Sequence, residues 1–323
     1  MPNTPTTSAS TTFTPPTQGY SIYTGRFAPS PTGPLHFGSL ISALASFLDA
    51  KAHQGQWLVR IEDLDPPREQ LGATELILRS LDAHHLHWDG AVTYQSQRHA
   101  AYEDCLNSLQ QQQLAYACSC SRQELNTMGG IYDGRCRNGP LKPDQACALR
   151  LKLYDLPRAT SPDIWHFKDI FQGEQQQNLR THAGDQILKR RDGFYAYQLA
   201  VVVDDITQGI THIIRGSDLL EVSARQLFLF KLLAAPLPIF GHVPLALQEN
   251  GQKLSKQNQA APLDNQRAGI NLWHALAFLG QNPPQDIWGA APATILSWAQ
   301  AHWCRARVKG LGHLYAPETS HLA

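Results

Sequence analysis

"RFAPSPTGPLHFGSL", Arg26 to Leu40, joins two stretches of opposite character. Before it, the β-branched and aromatic run "YSIYTGRF" reads as a strand. After it, Leu40, Ile41, Leu44, Phe47 and Leu48 recur at helical spacing, which predicts a helix from near Gly38 to about His53. Three prolines, two glycines and a histidine lie between. Prolines stiffen such a connection, and glycines let a ligand approach the backbone. Where a strand feeds a helix N-terminus, backbone N–H groups and the helix dipole favour phosphate. Neither GxxxxGK[ST] nor GxGxxG occurs, so this is not a P-loop or a dinucleotide fingerprint. His36-Phe37-Gly38-Ser39 instead places an imidazole and a hydroxyl at the helix start.

Working outward, "QWLVRIEDLD" reads as a second strand with acidic residues at its C-terminal end. "PPREQLGATELILRSLDAHH" reads as a helix opened by proline. Strand, helix, strand, helix is the rhythm of an α/β fold with a parallel sheet and a nucleotide crevice at its carboxyl edge. The rhythm breaks from about Cys105 to Asp185, which reads as an insertion. It resumes with "GDQILKRRDGFYAY", a hairpin-like pair of strands around Arg-Asp-Gly, and with the strand "GITHIIRG". "SDLLEVSARQLFLFKLLAA" follows as a helix that Ser217 or Asp218 is placed to cap. The expected organisation is a flexible tail (1–19), a first catalytic half (20–104), an insertion (105–185), a second half (186–258) and a helical remainder (259–323).

The composition fits a soluble globular protein, with 42% hydrophobic and 17% charged residues. No run approaches the length of a membrane span, and the first twenty residues carry neither a basic n-region nor an apolar h-region. A cytoplasmic protein is expected. Lys plus Arg and Asp plus Glu number 27 each, which argues against a strongly basic nucleic-acid binder. Two clusters could still form a local basic face: Lys189, Arg190 and Arg191, and Arg305, Arg307 and Lys309.

Two features carry further chemistry. Lys253-Leu254-Ser255-Lys256-Gln257, in a polar loop, sets two lysines around a serine, a pattern able to follow charge developing on a triphosphate. Cys118-x-Cys120 followed by Cys136 is a plausible zinc nest of thiolates. Three cysteines leave one position open, for which Cys147 and a tyrosine oxygen are the local choices, with His166 farther away.

Taken together and in this order, "RFAPSPTGPLHFGSL", "RIEDLD", "YQLAVVVDD", "IIRGSDLL" and "KLSKQ" resemble the glutamyl branch of the class I aminoacyl-tRNA synthetases. The resemblance implies that family's Rossmann-like parallel sheet, with a zinc-containing insertion and a small helical C-terminal remainder. In it, His36, Gly38 and Ser39 match the HIGH element, and Lys253, Leu254, Ser255, Lys256 and Gln257 match the KMSKS element, both acting on ATP. Ser39 stands where the family has a second histidine, so it can donate a hydrogen bond but carries no charge.

Glutamate offers two carboxylates and an ammonium, so its pocket needs cationic forks and an anion. The resemblance makes Arg26, Arg215 and Tyr197 partners for the carboxylates, within a set that includes Phe27, Ala28 and Pro29. Glu62, helped by Ser30, is then the partner of the α-ammonium. "GGIYDGRCR" resembles a short-chain branch of the family in which Tyr132 completes the zinc set with Cys118, Cys120 and Cys136. Only 66 residues follow Gln257, too few for an anticodon-binding domain, and Val201 replaces the Asn of many glutamyl synthetases.

That branch activates glutamate with ATP and Mg²⁺ to glutamyl-adenylate without tRNA. It then passes glutamate to queuosine at the wobble position of tRNA(Asp). No side-chain nucleophile is required, and a monomer is expected. The alternative is a truncated glutamyl-tRNA synthetase charging the 3′ terminal adenosine.

Overall fold

A computed structural model describes residues 22–129, 131–153, 164–247, 254, 260–308 and 313–315. Strand β1 (Thr24–Phe27) leads through the Pro/Gly loop into helix α1 (Phe37–Ala52), then β2 (Gln56–Ile61). Helix α2 (Ala73–Ala83), β3 (Thr93–Tyr94) and α3 (His99–Gln111) follow. Next come β4 (Ala115–Cys118), α4 (Arg122–Asn126), β5 (Ala148–Leu151), β6 (Ile164–Asp169) and β7 (Gly173–Asn178). The chain continues with α5 (Leu179–His182), β8 (Ile187–Lys189), α6 (Tyr197–Thr207), β9 (His212–Gly216) and α7 (Ser223–Leu232). Strands β10 (Ile239–Val243) and β11 (Leu245–Leu247), helices α8 (Ala268–Phe278) and α9 (Pro292–His302), and β12 (His313–Tyr315) complete it.

The main sheet has the order β3-β2-β1-β9-β10-β6-β7. All its neighbours pair parallel except β6 and β7, which form an antiparallel hairpin at one edge. A parallel sheet is covered on both faces, so its strands read as apolar runs and not as alternations. Strand β2 shows this directly: Trp57, Val59 and Ile61 enter a core with α1, α8 and α9, while Leu58 faces a second core with α3, α6 and α7. Ile213 and Ile214 split the same way. Helix α1 is the central element of the first core, with Leu40, Ile41, Leu44 and Leu48 almost wholly buried. Truncating Leu44 to Ala would cost about 3 kcal/mol through lost burial and the cavity left behind.

The segment expected as an insertion contributes to two sheets. β4 and β5 join β8 in a separate three-stranded sheet, while β6 and β7 extend the main one. Cys105 lies inside α3, buried in the second core.

Three local expectations are corrected. Pro66 and Pro67 open only a 3-10 turn, and α2 begins after Gly72, whose φ of +77° breaks the chain direction first. Ser217 and Asp218 cap no helix; they lie within a 3-10 segment, and α7 starts at Ser223. The Arg-Asp-Gly hairpin is one short strand closed by a single antiparallel bridge from Lys189 to Tyr195.

The C-terminal region is tied to α1 through Asp49, fully buried on the helix. Its carboxylate accepts from Tyr23 Oη at 2.5 Å and Trp303 Nε1 at 2.9 Å. Arg305 donates to the same carboxylate from Nε and Nη2, each at 2.7 Å. Three residues of the expected basic clusters, Lys189, Arg190 and Arg305, are paired with carboxylates. Lys189 pairs with Glu103, Arg190 with Asp192, and Arg191 donates to the carbonyls of Ser119 and Cys120. Lys309 lies outside the described residues. Among the described residues, no helix is long and apolar enough to cross a membrane.

Candidate active site

The Pro/Gly loop delivers its histidine to the first turn of α1. His36 is the N-cap, extended at φ −122° and ψ 173°, and its Nδ1 accepts from the Ser39 backbone N–H at 3.3 Å. In the neutral ring this places the proton on Nε2, a donor at the same helix end whose dipole favours phosphate. Gly33, at φ +140°, makes the preceding turn that only glycine enters without strain.

The late polar loop reaches this same helix end. Leu254 is buried, and its N–H donates to the Ala246 carbonyl at 2.8 Å. Just after the loop, His36 bridges Pro262, and the Leu263 N–H donates to the Leu35 carbonyl at 2.9 Å. The fold therefore brings Leu254, of the KMSKS-like segment, to the start of α1. Lys253, Ser255, Lys256 and Gln257 themselves lie outside the described residues.

The expected glutamate set gathers at the carboxyl ends of β1, β2 and β9, beside the N-terminus of α6. Arg26, on β1, is buried and donates from Nε to Asp205 Oδ1 at 3.2 Å, which leaves its terminal nitrogens for another acceptor. The Glu62 N–H donates to the Pro29 carbonyl at 3.0 Å, fixing the end of β2 against the loop. Arg215, near the end of β9, donates from Nη1 to the Tyr197 hydroxyl at 3.4 Å. Phe27 is different: its ring lies in the core, stacked toward Trp57, so only its backbone lines the strand end. Ala28 and Pro29 are half-buried, and Ser30 is exposed at the loop surface.

Charge distribution distinguishes the two arginines. Arg26 and the fully buried Arg60 share Asp205, with Arg60 Nη1 at 2.7 Å, and Arg60 also reaches Glu62 at 3.3 Å. Burial alone would push Asp205 up, but Arg26 and Arg60 hold its carboxyl below the usual carboxylate range. Glu62 behaves oppositely: burial pushes its carboxyl up, against the pull of Arg60 and Arg26. Arg215 has only neutral partners among the described residues, namely Tyr197, Leu219, Ser223 and His242. Burial lowers its pKa; Tyr197, Asp205 and Glu62 pull the other way, and Arg26 adds to the lowering. A buried guanidinium whose hydrogen-bond partners among the described residues are all neutral is a ready partner for an anion.

Several residues that shape the site carry no role in the sequence reading. Asp204 and Asp205, at the end of "YQLAVVVDD", are buried acids: Asp204 accepts from Gln95 at 2.8 Å and from the Tyr102 hydroxyl at 2.8 Å. Arg60 belongs with them, as do Asp169 and His242 behind Arg215. The available signal was two adjacent acids closing an apolar run, a position at which unpaired charge is too costly to bury.

Cys118, Cys120 and Cys136 have their sulfurs mutually within 4.8 Å. The Tyr132 hydroxyl joins them, 3.3 Å from Cys118 Sγ and 3.9 Å from Cys120 Sγ. Cys147 stands apart, with its thiol on the Gln145 carbonyl at 3.3 Å. Burial pushes the Cys136 thiol up, yet the Tyr132 hydroxyl and the Leu141 and Ser119 backbones outweigh it and bring it down to about 7. Three convergent sulfurs and a phenol oxygen are a donor set suited to a thiophilic tetrahedral ion. A cleft of about 610 Å³ between the Gln175–Asn178 edge and Arg225 shares no residue with either site.

The chain belongs to the family of class I tRNA synthetases (E and Q), catalytic domain, whose model it matches over residues 23–269. Within that family it is 50% identical over 288 residues to a glutamyl-Q tRNA(Asp) synthetase of Ectopseudomonas mendocina, covering 89% of this chain and 95% of that protein. It is 51% identical over 281 residues to a protein of the same name from Serratia proteamaculans, covering 87% and 90%. Among solved structures it resembles a glutamate tRNA ligase from Elizabethkingia meningosepticum, determined in complex with its amino acid. That likeness has a TM-score of 0.76 at 25% identity and covers 93% of this chain and 68% of the other.

Proposed function

We propose that this protein activates glutamate with ATP and transfers it to queuosine at the wobble position of tRNA(Asp). The observation that carries the glutamate reading is Arg215: a buried guanidinium whose partners among the described residues are all neutral. A substrate carboxylate supplies the missing anion. The terminal nitrogens of Arg26 take the second carboxylate, and Glu62 takes the α-ammonium, which a pocket without an anion would not bind. The names of the relatives support the choice of acceptor.

In the first step a glutamate α-carboxylate oxygen attacks the α-phosphorus of ATP. The bond to the bridging oxygen breaks, and pyrophosphate leaves with its electrons. His36, Ser39 and the first turn of α1 hold the nucleotide, and the lysines of the KLSKQ loop follow the charge on the leaving group. Mg²⁺ accompanies ATP as part of the substrate. In the second step a hydroxyl of the queuosine cyclopentenediol attacks the glutamyl carbonyl, AMP leaves, and the hydroxyl proton is released. Catalysis is then alignment and charge stabilisation, without a protein nucleophile.

The thiol cluster fits zinc held by Cys118, Cys120, Cys136 and Tyr132, which would tie the turn after β4 to the Tyr132–Cys136 segment as a structural clasp. The protein acts as a monomer. Glutamate-dependent exchange of labelled pyrophosphate into ATP, run without tRNA, tests the activation step. Exchange that needs tRNA, or that runs equally with glutamine, would overturn it.

A further inference from the structure

Behind Arg215 lies a buried chain of hydrogen bonds that no substrate-binding role explains. We propose that Asp169 and His242 form a positioning pair that fixes the imidazole tautomer and, through it, the orientation of Arg215. This rests on the reading of Arg215 as a glutamate-binding residue.

Asp169 closes β6 and His242 lies on the neighbouring β10, both fully buried. Asp169 Oδ1 accepts the backbone N–H groups of Phe171 at 3.0 Å, Gln172 at 2.9 Å and His242 at 3.1 Å. Its Oδ2 lies 2.6 Å from His242 Nδ1. On the other side of the ring, Arg215 Nε lies 3.0 Å from His242 Nε2. A guanidinium N–H can only donate, so Nε2 must present its lone pair. The ring is therefore neutral with its proton on Nδ1, donated to the carboxylate. Ser223 completes the cradle: its hydroxyl accepts from Arg215 Nη2 at 3.0 Å and lies 3.2 Å from both the Leu219 carbonyl and His242 Nε2, either of which can accept its single proton.

The result is one defined guanidinium orientation. Arg215 spends Nε on His242, both Nη2 hydrogens on Leu219 and Ser223, and one Nη1 hydrogen on Tyr197. Of the five donors of an arginine side chain, one Nη1 hydrogen is left for substrate. The Phe240 ring lies under the guanidinium carbon, 4.8 Å from its centroid. Reversing the tautomer would set an imidazole N–H against the Arg215 Nε–H and turn the fork away.

Asp169→Asn keeps the shape and the Oδ1 acceptor but puts an amide N–H opposite His242 Nδ1, forcing the reversed tautomer. The expected result is a glutamate KM raised about tenfold or more, with the ATP KM unchanged. His242→Gln, which can donate to Asp169 and accept from Arg215, is expected to recover most of the affinity that His242→Phe loses. Equal rises in both KM values for Asp169→Asn, or the same loss in His242→Gln and His242→Phe, would overturn the proposal. A ¹⁵N-imidazole NMR spectrum of the wild-type protein reads the tautomer without any substrate. Nδ1–H is expected, and Nε2–H or an imidazolium would sink the pairing even if glutamate is the substrate. A wild type that shows the Nδ1–H tautomer but no glutamate-dependent exchange would remove the substrate reading instead.

Discussion

The backbone carbonyl of Leu254 lies 3.3 Å from the point that a Cβ would occupy on Gly38. That point is also 3.1 Å from His36 Cε1, so Gly38 is the contact at which the N-cap histidine and the late loop meet. Gly38→Ala is expected to displace the imidazole or the loop by a few tenths of an ångström. Misplacement at that scale is costly where alignment is the catalytic device. Pyrophosphate exchange should fall about tenfold while the melting temperature stays near wild type. A loss of folding without any rise in ATP KM would contradict the contact's proposed role.

Arg215→Lys keeps the charge and loses the fork. Lysine cannot reach His242, Ser223, Leu219 and Tyr197 together, so the ammonium has no fixed direction. The glutamate KM is expected to rise about a hundredfold, and Tyr197→Phe, which removes one acceptor, should raise it about fivefold. Steady-state exchange at varied glutamate measures both. An unaltered glutamate KM in Arg215→Lys would show that the carboxylate sits elsewhere.

The clasp makes a separable prediction. Tyr132→Phe should release zinc to a chelator about tenfold more readily than wild type. Cys147→Ser, whose sulfur points to a backbone carbonyl and not to the cluster, should retain the metal. Elemental analysis after chelator dialysis decides between them, and the reverse pattern would exclude the phenol oxygen from the set.

Acid should destabilise the protein through its buried histidines. His212 stacks on Tyr23 with ring centroids 3.9 Å apart, and burial, then the nearby Arg305 charge, bring its imidazole down to about 4. Burial also lowers His84 and His242. For a histidine depressed in the fold, the unfolded chain binds the proton first. The stabilisation is therefore complete above about pH 6.5 and is lost as pH falls toward the folded value. The urea midpoint is expected to drop between about pH 7 and pH 4.5, and less steeply in His212→Gln. A midpoint that rises or stays level across this window would contradict the assignment.

The elements around the Pro/Gly loop were legible because each had a local cause. The run "YSIYTGRF" that holds β1 is rich in β-branched and aromatic residues, α1 carries its apolar residues at helical spacing, and prolines and glycines mark the join. Helix α6 was not legible, since Val201, Val202 and Val203 are all buried and leave no polar face to give a period. Asp169 and His242 are 73 residues apart and meet only because β6 and β10 are neighbours in the sheet. The Asp49–Arg305 tie spans 256 residues and is invisible for the same reason. Cys118-x-Cys120 announced a metal nest through its spacing, whereas Tyr132 entered only through resemblance. Its place among the sulfurs is a tertiary fact.

The destination of the activated glutamate is read most directly by labelling. The protein is incubated with ATP, labelled glutamate and tRNA(Asp) carrying queuosine, beside the same tRNA lacking it. After nuclease digestion, the label is expected on the queuosine nucleoside and absent from the tRNA that lacks it. Label on the 3′ terminal adenosine, or equal labelling of the two tRNAs, would contradict transfer to the wobble base.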